Sequence, residues 1–278
     1  MTGKLYLCAT PIGNLGDITE RVLECLRSVD VIAAEDTRNS KKLLTHFDIH
    51  VPMTSYHEFN KYEKADQLVN DMLGGKNIAL ITDAGTPAIS DPGEVLVAKC
   101  AEAGVPVTSL PGSSAVITAL TLSGLSTRRF CFEGFLSREN KERKEILSDL
   151  IDELRTIVLY ESPHHLKITL KDLYKTLGDR KIALCRELTK RYEDVQRTTL
   201  SEAIDFYEQN DPRGEYVLVI EGKSRDAKKE EERLQFEDMS IADHVEFYIQ
   251  QGMDKKEAMK CAAKDRGVSK RDIYNALL

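Results

Sequence analysis

Residues 77–94, NIALITDAGTPAISDPGE, constrain the fold more than any other stretch of the chain. The apolar run Ile78–Ile81 is short and bounded by turn residues, which suits a buried strand. It stops at Thr82-Asp83, passes through a loop built on Gly85 and Pro87, and restarts at Asp91-Pro92-Gly93-Glu94. Asp91, Pro92 and Glu94 read as the N-cap, first helical position and N3 of a helix over Glu94–Ala103, closed by Gly104. The unit is therefore strand–loop–helix, with its loop at the carboxyl end of a strand. Open α/β sheets bind ligands at that place.

The unit recurs along the chain. Leu5–Ala9, Val31–Ala34, Met53–Tyr56 and Val105–Leu110 are further short apolar or extended runs. Helical patterns separate them: the Asp17–Glu20 capping box opens one to about Arg27, Ser40–His46 forms another, and Asn60–Glu63 caps a third that Gly74-Gly75 stops. Such β–α repetition is the pattern of a parallel sheet. A second set follows Pro111-Gly112-Ser113-Ser114, with helices at Ala115–Leu122, Lys141–Leu154 and Leu166–Leu177. Its strands are Phe130–Phe135, Thr156–Tyr160, Ile182–Glu187 and Tyr216–Glu221, and Tyr192–Thr199 and Gly214–Glu221 read as strands able to pair antiparallel. The expected class is α/β, with a parallel-sheet lobe over 1–112 and a mixed-sheet lobe over 113–223.

The remaining chain has another character. A charge run, KSRDAKKEEER, marks a linker over 224–238, and three capping patterns (Ser240–Asp243, Asp254–Glu257, Ser269–Asp272) mark a small helical domain over 239–278. Ala258–Leu278 has helix-turn-helix spacing, with Val268 and Ile273 expected in the core and Lys270, Arg271 and Asn275 outward. Lys264 adds to its basic side, and the segment from Gly252 carries seven Lys/Arg against four Asp/Glu. Small three-helix units also serve for protein docking, but a locally basic tail on a chain of net charge −7 favours nucleic acid.

Six cysteines lie far apart with no C-x-x-C pair, so neither a zinc site nor a disulfide framework follows, and a reduced cytoplasmic setting is expected. No long apolar run provides a membrane span, and the apolar stretch near the N-terminus is too short for a signal peptide.

Three polar-glycine loops end strands of the first sheet: Thr10–Asp17, Thr82–Gly93 and Pro111–Ser114. None is G-x-G-x-x-G or a phosphate-binding G-x-x-x-x-G-K-[ST] loop, which argues against nicotinamide cofactors and nucleoside triphosphates. Their shared edge favours a small-molecule site, where the Asp83 carboxylate suits ribose hydroxyls or positive charge; the plainer reading is an Asx-turn. Other strands end in Glu35-Asp36-Thr37-Arg38, Ser55-Tyr56-His57-Glu58, Glu161-Ser162-Pro163-His164 and Arg186-Glu187-Leu188-Thr189-Lys190. These groups suit acid–base work or positioning of a polar substrate; the plainer alternatives are surface pairs, Asp36–Arg38 or Glu58–Lys61.

In this order, TPIGNLGDIT, AAEDTR, TDAGTPAISDPG, LPGSSA, EGFLSR, ESPHH and CRELTK resemble the small-subunit ribosomal RNA cytidine 2′-O-methyltransferases. These belong to the tetrapyrrole-methylase-like class of S-adenosylmethionine enzymes, and the resemblance spans about residues 4–223. It implies two α/β lobes with the cofactor cleft between them, S-adenosylmethionine as cofactor without metal, and a homodimer. It further implies a decoding-region cytidine of 16S rRNA, cytidine 1402, in the small ribosomal subunit as substrate. Motif by motif, it implies cofactor contacts at Pro11, Gly13, Asp83, Gly85, Thr86, Ser113, Ser114 and Ala115, with further ones from Glu161–His164 (Glu161 and His164) or from the strand ending in Arg186-Glu187. The segment FLSRENKER departs from the family's proline and lysine at Ser137 and at Glu139 or Asn140, although Arg138, Lys141, Arg143 and Lys144 keep it basic.

Methyl transfer from a sulfonium needs neither metal nor covalent nucleophile, only alignment and a base for the hydroxyl proton. Glu35, Asp36 and His57 are the candidate bases, with Arg38 or Arg186 holding phosphate. Lys190, Lys264, Lys270 and Arg271 join Arg186 as expected RNA contacts. Two alternatives stay open on the residues: a tetrapyrrole C-methyltransferase, and a non-enzymatic ligand-sensing regulator that binds nucleic acid.

Overall fold

A computed structural model describes residues 1–226, 236 and 239–278. The chain forms two compact units, one of residues 1–143 with 156–221 and the other of residues 144–155 with 222–278. Both sheets belong to the first unit.

Five strands form the first sheet: β1 (Leu5–Cys8), β2 (Val31–Ala34), β3 (Met53–Ser55), β4 (Ile78–Ile81) and β5 (Val107–Leu110). All pairs are parallel, in the order β3-β2-β4-β1-β5. Side chains of a strand alternate between faces, and here both faces are apolar. Leu5, Leu7, Ile78, Leu80 and Ala33 join one core with helices α3 (Lys61–Leu73) and α4 (Gly93–Glu102). Cys8, Ile32, Ala34, Ala79 and Ile81 join the other with helices α1 (Glu20–Ser28) and α2 (Thr37–His46). Each fully buried Leu or Ile contributes roughly 1.5–3 kcal/mol, so the two-sided burial is what commits these short runs to the sheet. Because α1 and α4 leave adjacent strands toward opposite faces, the loops after β1 and β4 flank a topological switch point.

The second sheet contains β6 (Phe130–Phe135), β7 (Thr156–Glu161), β8 (Lys181–Arg186), β9 (Asp194–Thr199) and β10 (Tyr216–Ile220), in the order β6-β7-β10-β8-β9. Only β6–β7 is parallel; the other pairs are antiparallel, which makes the sheet mixed. Helix α5 (Ala115–Leu122) packs Val116, Ala119 and Leu120 on one face against Val158, Ala183, Val217 and Val219. Helices α6 (Asn140–Asp149), α7 (Leu166–Leu177) and α8 (Leu200–Gln209) complete the set.

Several local expectations need correction. The Asp17–Glu20 capping box is absent: Asn14 accepts from the Gly16 amide and closes a 3-10 turn over Leu15–Asp17, so α1 starts later, capped by Thr19 on the Val22 amide. Helix α4 begins at Gly93 rather than Glu94, with the Asp91 carboxylate accepting from the Gly93 amide at 2.8 Å. Helix α2 begins at Thr37 because Asp36 caps it. Asn60 spends its side chain on the His57 amide at 2.8 Å instead of capping α3. Strands β9 and β10 do not pair with each other; both flank β8. Helix α8 was unassigned, although Thr199 and Glu202 form a full capping box at its start.

In the second unit, α9 (Ile241–Gln250), α10 (Lys255–Asp265) and α11 (Lys270–Ala276) begin at the three expected caps, Ser240, Asp254 and Ser269. Val245, Ala258, Ala262, Ala263 and Ile273 form their core. Val268 was expected there but is 43% exposed, since it sits on the outside of the turn made by Gly267 at φ +65°. Most of the expected linker, residues 227–235 and 237–238, lies outside the described residues. No helix among the described residues is long and apolar enough to cross a membrane.

Candidate functional site

The three polar-glycine loops converge. Thr10 and Gly85 pair as an isolated bridge, and the Thr10 hydroxyl donates to the Thr82 carbonyl at 3.1 Å. Gly85 adopts φ +85°, a conformation glycine reaches without strain, and a Cβ there would sit 3.2 Å from Ile12 Cγ2. The Thr86 hydroxyl donates to the Ser113 carbonyl at 3.0 Å, which ties in the third loop.

These loops form one wall of a cavity of about 270 Å³, near the lower bound of about 300 Å³ for small-molecule sites. The opposite wall comes from one edge of the second sheet. Strand β10 runs antiparallel to β7 and β8, so its amino end, Tyr216, lies in register with the carboxyl ends Glu161 and Arg186. That register adds Glu215 to the cavity beside Glu161, Glu187 and Lys190. Gly13 is where the walls touch: a Cβ there would meet Lys190 Cγ at 2.4 Å and the Leu188 carbonyl at 3.0 Å.

The lining is apolar at Ile12, Tyr160 and Leu188 and acidic overall, with four carboxylates (Asp91, Glu161, Glu187, Glu215) against one lysine. Glu161 is buried and accepts from the Ser162 amide at 2.7 Å and from the Thr169 hydroxyl. Arg143 donates to the same Thr169 hydroxyl at 2.9 Å and to Asp172 at 2.8 Å, so the carboxylate is held by a chain of donors. Burial opposes ionisation of Glu187, yet the Glu215 amide and Lys190 hold its carboxyl below the usual range. Lys190 is likewise desolvated but is held above its ordinary value by Glu187 and Glu215, at 3.0 and 3.2 Å. Burial pushes the Cys185 thiol up to about 12, so it lines the cavity as an uncharged group.

Backbone strain concentrates in the same wall. Glu187 and Thr189 have φ of +50° and +65°, and the Thr189 hydroxyl and Arg186 Nε are buried with no hydrogen-bond partner among the described residues. Ser162, which lines the cavity, has an unpartnered buried hydroxyl too. Residues in sparsely populated regions persist where the surroundings over-determine them, often beside a ligand.

Of the expected cofactor contacts, Gly85, Thr86, Ser114, Ala115 and Glu161 line the cavity. Pro11, Gly13 and Ser113 belong to the same loops just behind the lining, whereas Asp83 is exposed and accepts from the Asn39 amide at 3.1 Å. His164 is exposed beyond the end of β7. Lys190 was expected to meet RNA but faces the cavity, and Arg186 lies 3.7 Å from Asp194. Lys264, Lys270 and Arg271 are exposed on the second unit.

The candidate bases sit on the neighbouring rim rather than in the cavity. Glu35 is half-buried and accepts from the hydroxyl of Thr82, a lining residue, at 2.6 Å. Asp36 is held in a fork by Arg38, at 3.1 and 2.8 Å, which lowers its carboxyl to about 2. His57 Nδ1 is buried with no hydrogen-bond partner among the described residues. Both plainer surface pairs exist, Asp36–Arg38 at 2.8 Å and Glu58–Lys61 at 2.6 Å. No group of three or more His, Cys, Asp or Glu able to hold a metal gathers among the described residues.

Glu215 and Tyr160 line the cavity without being singled out by the sequence, whereas Glu187 and Ile12 stand in strand-end segments that it marks. Glu215 precedes a strand instead of following one, and only the antiparallel direction of β10 brings it to the site.

Fold and cavity together define a class: residues 4–204 match the family model for tetrapyrrole (corrin/porphyrin) methylases. Solved structures agree at the level of fold. Diphthine synthase superposes with TM-score 0.63 at 16% identity, over 80% of this chain and 91% of that one. Uroporphyrin-III-C-methyltransferase from Thermus thermophilus gives 0.57 at 18%, over 79% and 94%. Closer relatives are named ribosomal RNA small subunit methyltransferase I. That of Halalkalibacterium halodurans is 49% identical over 98% of this chain and 94% of its own length. Those of Bacillus subtilis and Synechocystis are 48% and 46% identical over 99% of this chain, and 94% and 98% of theirs. The chain belongs to the ribosomal RNA small subunit methyltransferase I family of the tetrapyrrole methylases.

Proposed function

We propose that this protein transfers a methyl group from S-adenosylmethionine to the ribose 2′-oxygen of a cytidine in 16S rRNA of the small ribosomal subunit. The observation that carries the cofactor is the charge of the cavity. Four carboxylates against one lysine suit a ligand with a sulfonium and an ammonium, and would repel a dinucleotide pyrophosphate. Its apolar surfaces at Ile12, Tyr160 and Leu188 suit an adenine ring. The substrate class rests on relatives at 41–49% identity whose names specify ribosomal RNA of the small subunit.

In this reading Gly85, Thr86, Ser114, Ala115 and Glu161 hold the cofactor directly. Pro11, Gly13 and Ser113 set their backbone, and Asp83 and His164 sit at the rim. Bound there, S-adenosylmethionine supplies a methyl group made electrophilic by its sulfonium. The chain's own work is to orient the acceptor hydroxyl in line with that methyl, exclude water, and take up the proton. Glu35 is the best-placed base because it is hydrogen-bonded to a lining residue. Asp36, with a carboxyl near 2, has little affinity for a proton, and His57 stands between them as second choice. Arg38 and Arg186 serve phosphates, and Lys264, Lys270 and Arg271 serve RNA at the tail. The functional divisions remain 1–112 and 113–223 for the two halves of the cofactor site, 224–238 for the linker and 239–278 for RNA. The protein acts in the cytoplasm as a homodimer.

The test is to mix purified protein with methyl-labelled S-adenosylmethionine and 30S subunits, 16S rRNA or duplex DNA. Label in the ribose of one 16S cytidine is expected. Label on a base, or DNA binding without labelling, would overturn the proposal.

A further inference from the structure

Strand β6 breaks its register with β7 between Phe132 and Phe135: Phe132 pairs with Val158 and Phe135 with Tyr160, three residues against two. In an unbroken strand positions 132 and 135 would face opposite sides of the sheet. The extra residue turns the chain so that both rings meet Tyr160, with centroids 4.9 and 5.4 Å away. Gly134 takes φ +62° inside the bulge, and a Cβ on it would lie 3.6 Å from Ser90 Oγ. A bulge of this kind re-aims a side chain, and here the side chain is Phe135.

Phe135 lines the cavity but remains 58% exposed, while the next residue, Leu136, is buried. Ile89 presents a second apolar side chain to the same cavity, 53% exposed. Arg138 follows three residues later and is exposed. Glu161 is thus buried within the cavity, while Phe135 offers an open aromatic face and Arg138 an exposed cation. Acidic walls repel a phosphate backbone, so a nucleotide approaching this mouth must lead with its base or sugar. An aromatic face stacks on any base, and a guanidinium three residues along the chain suits the phosphate.

We infer that Phe135 is the platform on which the nucleobase of the acceptor nucleotide stacks, unpaired and turned out of its helix, with Arg138 on the adjoining phosphate. This rests on the methylation reading above and names a substrate contact within it. The bulge at Glu133-Gly134 is the device that presents the ring.

The experiment compares F135L, F135A and F135W with the parent protein. Apparent KM for unmethylated 30S subunits and Kd for S-adenosylmethionine are measured separately, and thermal melting confirms folding. Loss of the ring in F135L and F135A should raise KM for subunits about tenfold or more, with cofactor Kd within twofold. F135W, which keeps a stacking face, should restore KM to within about threefold of the parent. Parent-like KM in F135L would overturn the inference, because an apolar side chain alone would then suffice. So would a parallel loss of cofactor affinity, which would make Phe135 part of the cofactor's wall. Failure of the parent protein to label subunits would instead refute the methylation reading, a distinct outcome.

Discussion

Thr10 and Gly85 exchange backbone hydrogen bonds in both directions, N–H to carbonyl at 2.9 Å one way and 3.1 Å the other. They follow adjacent strands whose helices leave toward opposite faces, so the pair closes the switch point like a staple. The first wall of the cavity is built around it, with Ile12 where a Cβ on Gly85 would lie and Ser113 accepting from Thr86.

Gly85→Ala should disturb this staple in two ways. Its backbone must stay in the left-handed region, which costs a residue with a Cβ about 1–2 kcal/mol. The new methyl also presses on Ile12 Cγ2 at 3.2 Å. Calorimetry should show S-adenosylmethionine affinity reduced about tenfold, with a drop in melting temperature of several degrees. Unchanged affinity would remove Gly85 from the site.

Glu35→Gln and Asp36→Asn should separate the candidate bases. Glutamine keeps an acceptor for Thr82 but cannot take a proton, so kcat should fall at least a hundredfold with cofactor Kd unchanged, in the range of general-base removal. Asp36→Asn should leave kcat within tenfold, since a carboxyl near 2 is a weak proton acceptor. The reverse ranking would transfer the role to Asp36, and full activity in both would leave His57.

Much of the first sheet was legible because parallel strands buried on both faces write themselves as bounded apolar runs. Ile78–Ile81 is buried throughout and ends where expected. The convergence of the three glycine loops was legible for the same reason, since parallel strands carry their loops to one edge. What stayed hidden depended on partners distant in sequence. The register of Glu215 with the ends of β7 and β8 is one such case, since β10 runs antiparallel to both. The bulge that projects Phe135 leaves only Gly134 as a mark within EGFLSR, and pairing with Val158 and Tyr160 is what reveals the extra residue. Val268 looked like core because it is apolar, but the turn at Gly267 decides which way it faces.

The Glu153–Arg155 fork offers a pH test in the second unit. Glu153 accepts from the Arg155 amide at 2.7 Å and from its guanidinium at 2.9 and 2.6 Å, and its carboxyl falls from 4.5 to about 2. A depressed carboxyl stabilises the fold above its unfolded value and ceases to do so as pH falls through its folded value. The contribution should be complete above about pH 4.5 and vanish near pH 2. Arg155 is partly exposed, so about 1 kcal/mol is the expected size. Glu153→Gln should lower the melting temperature at pH 7, with the difference from the parent shrinking as the pH falls from 4.5 to 2. A difference that does not depend on pH would show that the ion pair contributes only its shape.

The basic tail should act on RNA through Lys264, Lys270 and Arg271, all exposed. Arg266 is not part of that surface: it donates to His244 Nδ1 at 3.0 Å, to the Phe236 carbonyl at 3.0 Å and to the Met239 carbonyl, and so holds the unit together. Reversing the three exposed charges to glutamate should weaken binding to 16S rRNA or 30S subunits at low salt. It should also flatten the dependence of affinity on salt by about one logarithmic slope unit per lost phosphate contact. Cofactor affinity should not change, because the cavity is built wholly from residues of the first unit. Arg266→Ala should instead lower the melting temperature of the helical unit, having removed its internal donor. Parent-like RNA affinity and salt slope in the triple variant, or in a chain lacking residues 234–278, would assign RNA binding to the rims of the cavity alone.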